Sequence, residues 1–197
     1  MKLYSYIVVH DSGFAPNPFW GYCTLACCKP SIRRSARRGD WVLGLSQRNK
    51  GNKVIFAMEV TEDSLTFARY HNDRRFEDKI PAMSRTEIVH RCGDNIYQPT
   101  PSGYKQLPNP YHSEQEKDHD LGGRNVLVSD HFYYLGSESV PLPDDLTELI
   151  AGRGHKCNFP PELIHGFFEF ISQLKPGVNA APTKWPAYDD SWKCFKS

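Results

Sequence analysis

The chain has 197 residues, 39% hydrophobic, 13% aromatic and 24% charged, which suits one ordinary domain, residues 1–197, with enough aromatic anchors to exclude disorder. Net charge is +1, and no apolar run approaches the ~18 residues of a membrane span, so no membrane partner is expected. The N-terminus MKLYSYIVVHD is too short and too polar at His10 and Asp11 for a secretion signal, and a cytoplasmic location with reduced thiols is expected.

In chain order, residues 2–9 (KLYSYIVV) are β-rich and apolar and predict a buried strand. The following HDSGFAPNPFWG predicts an irregular aromatic loop. Residues 20–28 (WGYCTLACC) predict a short helix that stops before Pro30. Two strands follow, WVLGL at 41–45 and KVIFAMEVT at 53–61, joined as a hairpin through Gly51–Asn52. Residues 63–71 allow a helix capped by Asp63 or Ser64. From Gln98 to Arg124 no regular element is expected, and so long an irregular loop is usually functional or mobile. NVLVSDHFYYLG at 125–136 reads as strand, turn and aromatic strand. DDLTELIAG, with Asp144 and Asp145 in its first turn and Gly152 at its end, predicts one helix, and ELIHGFFEFISQL at 162–174 a second. The aromatics Trp185, Tyr188 and Trp192 in the Pro-containing tail, 175–197, suggest that it lies across the domain. The order predicts an α+β fold with a small mixed or barrel-like sheet, flanking helices and two C-terminal helices.

Charge is unevenly spread. Residues 1–56 hold nine Lys and Arg against Asp11 and Asp40, whereas the remainder is net acidic. Lys29, Arg33, Arg34, Arg37 and Arg38 are the candidate phosphate contacts, since 33/37 and 34/38 would form a ridge if helical. The plain alternative is a solvated surface. No dinucleotide, Walker, nucleophile-elbow or H-E-x-x-H motif occurs. The six cysteines include no C-x-x-C pair, so neither a metal nor another cofactor is expected.

Four groups of residues could carry chemistry. Asn17, Phe19, Trp20 and Tyr22 offer stacking faces and an amide edge for a base, or else a core plug and a turn. Asp94, Asn95 and Tyr97 offer a polar edge, or simply turn chemistry. Asp130, His131, Tyr133 and Tyr134 end a strand with an acid and a proton carrier, or mark the turn between two strands. Tyr111, His112, Asp118 and His119 supply loop residues, with His112 after the rigid PNPY, or are merely exposed. Cys23 in the first turn of a helix would be a nucleophile, with His10 or His112 as partner. In an apolar setting it is a small hydrophobe. Cys23, His112 and Asp130 are thus the catalytic candidates.

The segments YSYIVVHDSGFAPNPFWGYCTLACCKPSIRRSARRGDWVLGL, GDNIYQP, NVLVSDHFYYLG and GRGHKCNFP, in this order, resemble the second type of nucleotide-modification-associated domain. That family is found in phages and bacteria near systems that handle modified DNA bases. The RRGDWVLGL step followed by VIFAMEVTED is also similar to PUA-like domains of the EVE and YTH kind, small barrels that hold a modified base among aromatics. These resemblances imply a reader of a modified nucleobase, nucleotide or DNA, in a modification or phage-defence context. An enzyme of base modification and a non-catalytic protein-interaction module are the alternatives.

Overall fold

The computed structural model describes all 197 residues. The strands are β1 (Leu3–Ile7), β2 (Cys23–Leu25), β3 (Trp41–Leu45), β4 (Val54–Glu59), β5 (Leu65–Thr66), β6 (Tyr97–Thr100), β7 (Gly103–Gln106), β8 (Asn125–Ser129), β9 (Phe132–Tyr134), β10 (His155–Lys156) and β11 (Gly177–Val178). The α-helices are α1 (Pro30–Ser35), α2 (Phe67–Asn72), α3 (Ile88–Arg91), α4 (Lys117–Leu121) and α5 (Pro161–Ile171).

The main sheet is mixed, in the order β10-β1-β3-β4-β9-β11. β1 and β3 run parallel, whereas β3, β4 and β9 form an antiparallel run. The expected α+β class is correct. The barrel expectation is corrected: the sheet stays open, ending in the two-residue strands β10 and β11. Short edge strands blunt an open sheet against edge pairing.

Period-two alternation explains why both faces are covered. Tyr4, Tyr6, Val42, Phe56, Met58 and Tyr134 pack into one cluster with Phe19, Leu25 and Ile32. Leu3, Trp41, Leu43, Val54, Ala57 and Tyr133 pack into the other, covered by Leu146, Leu149 and the Leu163–Phe167–Ile171 stripe of α5. The β3–β4 hairpin turns through Gly51 at φ 87°, a left-handed conformation that favours glycine.

Several expectations are overturned. Residues 20–28 form no helix. β2 bridges back to Asn17 through Thr24 and pairs with β8, and these partners satisfy its backbone better than one isolated turn. Residues 98–124 are ordered into the β6–β7 hairpin, a 3-10 turn at Glu114–Glu116 and α4. Ser113 and Glu116 form a capping box that starts this turn. The helix near 144–152 is a 3-10 run, Asp144–Leu149, ended by the extended Ile150, so one α-helix rather than two closes the fold. α2 is capped by Thr66, whose hydroxyl accepts from the Arg69 N–H at 3.2 Å, not by Asp63 or Ser64. Residues 175–197 pack back, with β11 beside β9 and the Trp185 indole donating to the Ser12 carbonyl at 2.8 Å.

Candidate functional site

The end of β1, the loop after it, the approach to α1 and the 110–112 segment enclose a cavity of about 740 Å³. Its wall carries Lys29 and Lys184 and the imidazoles of His10, His112, His119 and His155, with no Asp or Glu. Phe14 and Tyr111, stacked at 4.9 Å between centroids, make an apolar wall. The Tyr6 ring lies under the Lys29 ammonium at 4.6 Å. Burial lowers the Lys29 pKa, which nearby Cys28 opposes. The Tyr6 hydroxyl is buried and has no hydrogen-bond partner within the protein.

At one end of the cavity a hydrogen-bonded chain joins three residues. Cys28 Sγ lies 3.5 Å from His112 Nε2, and His112 Nδ1 lies 2.6 Å from Asp120 Oδ2. Cys28 stands two positions before α1 at φ 60°, followed by Lys29 at φ 41°. Two successive left-handed L-residues turn the chain abruptly here. Asp120 is fully buried on α4. Its carboxylate also accepts from the Cys28 N–H at 2.7 Å and the Tyr97 hydroxyl at 2.8 Å. Burial by itself would raise the Asp120 pKa, but His112 and these donors hold it below the usual carboxylate range. An ionised carboxylate only accepts, so Nδ1 of His112 carries a hydrogen. Burial opposes the imidazolium, yet the bonds and charges of Asp120 and Cys28 push the His112 pKa up to about 10.

Cys27, His112 and Asp120 also offer ligand atoms within 4.8 Å of one another, a spacing that a metal ion could span. The donor set fits a metal poorly. The Asp120 oxygens already accept three hydrogen bonds. The Cys27 thiol donates to the Asp94 carbonyl at 3.6 Å, and burial pushes its pKa well up, whereas a metal binds the thiolate.

Of the residues singled out in the sequence, the structure brings His10, Lys29, Tyr111, His112 and His119 to the cavity, with Tyr97 behind Asp120. Most others are framework. Cys23 lies on a strand, fully buried against the Met58 sulfur at 3.9 Å, and burial pushes its pKa up. The condition for its activation, a helix first turn, is therefore absent. Asn17 is buried, donating to the carbonyls of Gly13 and Cys92 and accepting from Lys79 Nζ at 2.7 Å. Phe19 is a core plug between Trp185 and Phe195. Trp20 stands against Phe195 and His90, and Tyr22 against Phe76. Asp94 is buried and accepts from Thr24, Tyr70 and the Ala26 N–H. Burial raises its pKa despite Lys79 and those donors. The Asn95 amide donates to the carbonyls of Tyr70 and Phe76.

Asp130 is exposed in the β8–β9 turn, and Tyr133 faces the α5 cluster, so neither meets the cavity. The basic ridge also needs correction. α1 ends at Ser35 and Ala36 is extended, so Arg37 and Arg38 do not continue it. Arg33 is fully buried, its guanidinium donating to the carbonyls of Cys28, Asp120 and Asn125 at 2.7, 2.5 and 2.9 Å. Arg34, Arg37 and Arg38 remain exposed. Sequence reasoning missed Cys28 and Asp120. The available signal was a cysteine just ahead of the proline that opens α1 and an acid eight positions after His112.

A family model described as nucleotide modification associated domain 2 matches residues 1–189. The chain belongs to this family. No curated protein and no solved structure matches it. The match spans both the cavity and the Cys28–His112–Asp120 chain, so both lie within nucleotide modification associated domain 2. No helix is long and apolar enough to cross a membrane.

Proposed function

We propose that the cavity binds a nucleotide, with its phosphate at Lys29 and Lys184 and its base against Phe14 and Tyr111. The observation that carries the reading is the wall chemistry: two lysines and four imidazoles with no carboxylate, beside a stacked aromatic pair. A few polar groups in an otherwise apolar concavity suit a small ligand, and cations without competing acids suit an anion. The volume of about 740 Å³ accommodates a mononucleotide with a modified base. Membership of a family associated with nucleotide modification supports the same ligand class. A base presented by DNA would reach the cavity with additional phosphates near the exposed Arg34, Arg37 and Arg38, and its binding would weaken steeply with salt.

Thermal unfolding with free normal and modified nucleotides, and with single- and double-stranded DNA carrying the same bases, tests the proposal. A ligand at 100 times its Kd stabilises the fold by ~2.7 kcal/mol. The expected result is stabilisation by a nucleotide and loss of ~1.5–3 kcal/mol of its binding energy in Lys184→Ala, the worth of a hydrogen bond to a charged group. No shift with any nucleotide or DNA, or undiminished binding in Lys184→Ala, overturns it.

A further inference from the structure

We propose that Cys28 is the nucleophile of an acyl-transfer reaction, with His112 as its proton carrier and Asp120 as the positioning residue. The ligand class, an acyl group joined through an amide or ester to a nucleotide, rests on the nucleotide-binding reading. The reactivity of Cys28 stands on its own geometry.

Three independent features single out this thiol. The first is access combined with a partner. Cys23, Cys27 and Cys92 are fully buried, while the part-exposed Cys157 and the exposed Cys194 have no imidazole partner. Cys28 is part-exposed on the cavity wall, with His112 Nε2 at 3.5 Å. The second is the third member. Asp120 fixes the His112 ring through Nδ1 and also binds the Cys28 backbone N–H, so a single buried carboxylate sets both reacting side chains. A nucleophile, a base and a group that orients the base form the arrangement that activates cysteine in acyl transfer. The third is an unpartnered polar group in the same cavity wall. The Tyr6 hydroxyl, on a residue only 2% exposed, offers a donor that no protein atom takes.

The chemistry needs only the acyl substrate and water. The Cys28 thiolate attacks the carbonyl carbon and a C–S bond forms. As the tetrahedral oxyanion collapses, the C–N or C–O bond breaks, and the leaving amine or alcohol takes the proton from His112 Nε2. Water then attacks the thioester and passes a proton to His112, the C–S bond breaks, and a carboxylic acid leaves. The sum is amide or ester plus water giving acid plus amine or alcohol, with thiol and imidazole restored and no redox change. An amine on a base, replacing water, would receive the acyl group instead.

The groups that face His112 are Asp120, Cys28 and the Phe14 ring, with Cys27 close by, Glu116 within electrostatic reach, and Arg33 and Tyr97 behind the carboxylate. These are the charges that would shape its pH profile.

The test uses two separate samples of the folded full chain, one labelled with iodoacetamide and one incubated with p-nitrophenyl acetate, each followed by peptide mass mapping. Cys28 is expected to label at neutral pH at least tenfold faster than the exposed Cys194, and to carry one acetyl group after the ester is added. The buried Cys23, Cys27 and Cys92 stay unlabelled and report an intact fold. His112→Gln is expected to remove the tenfold advantage, and Cys28→Ser to remove the acetyl-enzyme. Asp120→Asn is expected to move the pH profile of Cys28 labelling onto that of Cys194 while Cys23, Cys27 and Cys92 stay unlabelled, a combination that loss of packing would not give. Labelling of Cys28 no faster than Cys194 in the wild-type protein overturns the proposal even where every variant fails to fold. Fast alkylation with no acetyl on Cys28 overturns the acyl-transfer step. Neither result touches the nucleotide reading, which the thermal-shift experiment decides separately.

Discussion

At the scale of single residues, the His112–Asp120 pair gives the molecule a defined pH response. The His112 pKa is raised from 6.5 to about 10, so its contribution is complete below the unfolded value and is lost as pH rises through about 10. The Asp120 pKa is lowered from 3.8, so its contribution is present above that value and lost as pH falls through its depressed folded value. Both contributions therefore operate in mildly acidic to neutral solution. Denaturant unfolding of the wild type and His112→Gln is expected to show the largest stability gap near pH 6 and to converge above pH ~10. A gap that stays constant between these values would show that the imidazolium does not act through its charge. His112 was visible in the sequence as a loop histidine behind a rigid proline turn. Its partners were not, because they come from the approach to α1 and from α4, 84 positions before it and eight after.

At the scale of elements, the joint between α1 and α4 holds the cavity wall in place. Arg33 is the pin, spending its fork on three backbone carbonyls rather than on phosphate. Its guanidinium also lies 3.9 Å from the Asp120 carboxylate, with both side chains fully buried. Removing one member of a buried pair strands the other, so Arg33→Met is expected to cost ~3–5 kcal/mol, read from denaturant midpoints. A loss below ~1 kcal/mol would mean that this joint relaxes to find other donors. Gly123 completes the joint. A Cβ there would stand 2.3 Å from the guanidinium, and a side chain held by three carbonyls cannot step aside. The sequence placed Arg33 within a run of four arginines and read one common role for them. Only the pairing of α1 with the 120–125 segment separates the pin from the exposed Arg34, Arg37 and Arg38.

At the scale of the whole molecule, the C-terminal segment closes the structure. Trp185 and Phe195 cover Phe19, Thr183 donates to the buried Asp11, and Lys184 reaches the cavity. Each large apolar side chain uncovered costs ~1.5–3 kcal/mol, and several together exhaust the ~5–15 kcal/mol of a typical domain. A chain ending at Leu174 is therefore expected to lack a cooperative thermal transition and to show no nucleotide-dependent shift. A sharp transition in that truncated protein would make the tail an accessory.

The sequence by itself determined the α+β class, the two-faced strands of the main sheet, the Gly51 hairpin and the packed tail. Each follows from local periodicity, turn chemistry or an unusual density of aromatics, and these act over a few residues. Tertiary structure alone decided that 20–28 holds a strand, Cys23–Leu25, rather than a helix, because the pairing that satisfies its backbone comes from β8, about a hundred positions away. It also decided which polar residues are buried framework and which line the cavity. Asp94 and Asp120 look alike in sequence, yet one is consumed by Thr24, Tyr70 and Ala26 while the other orients His112. Burial and partner geometry set the chemistry of an ionisable group, and neither is encoded in its neighbours along the chain.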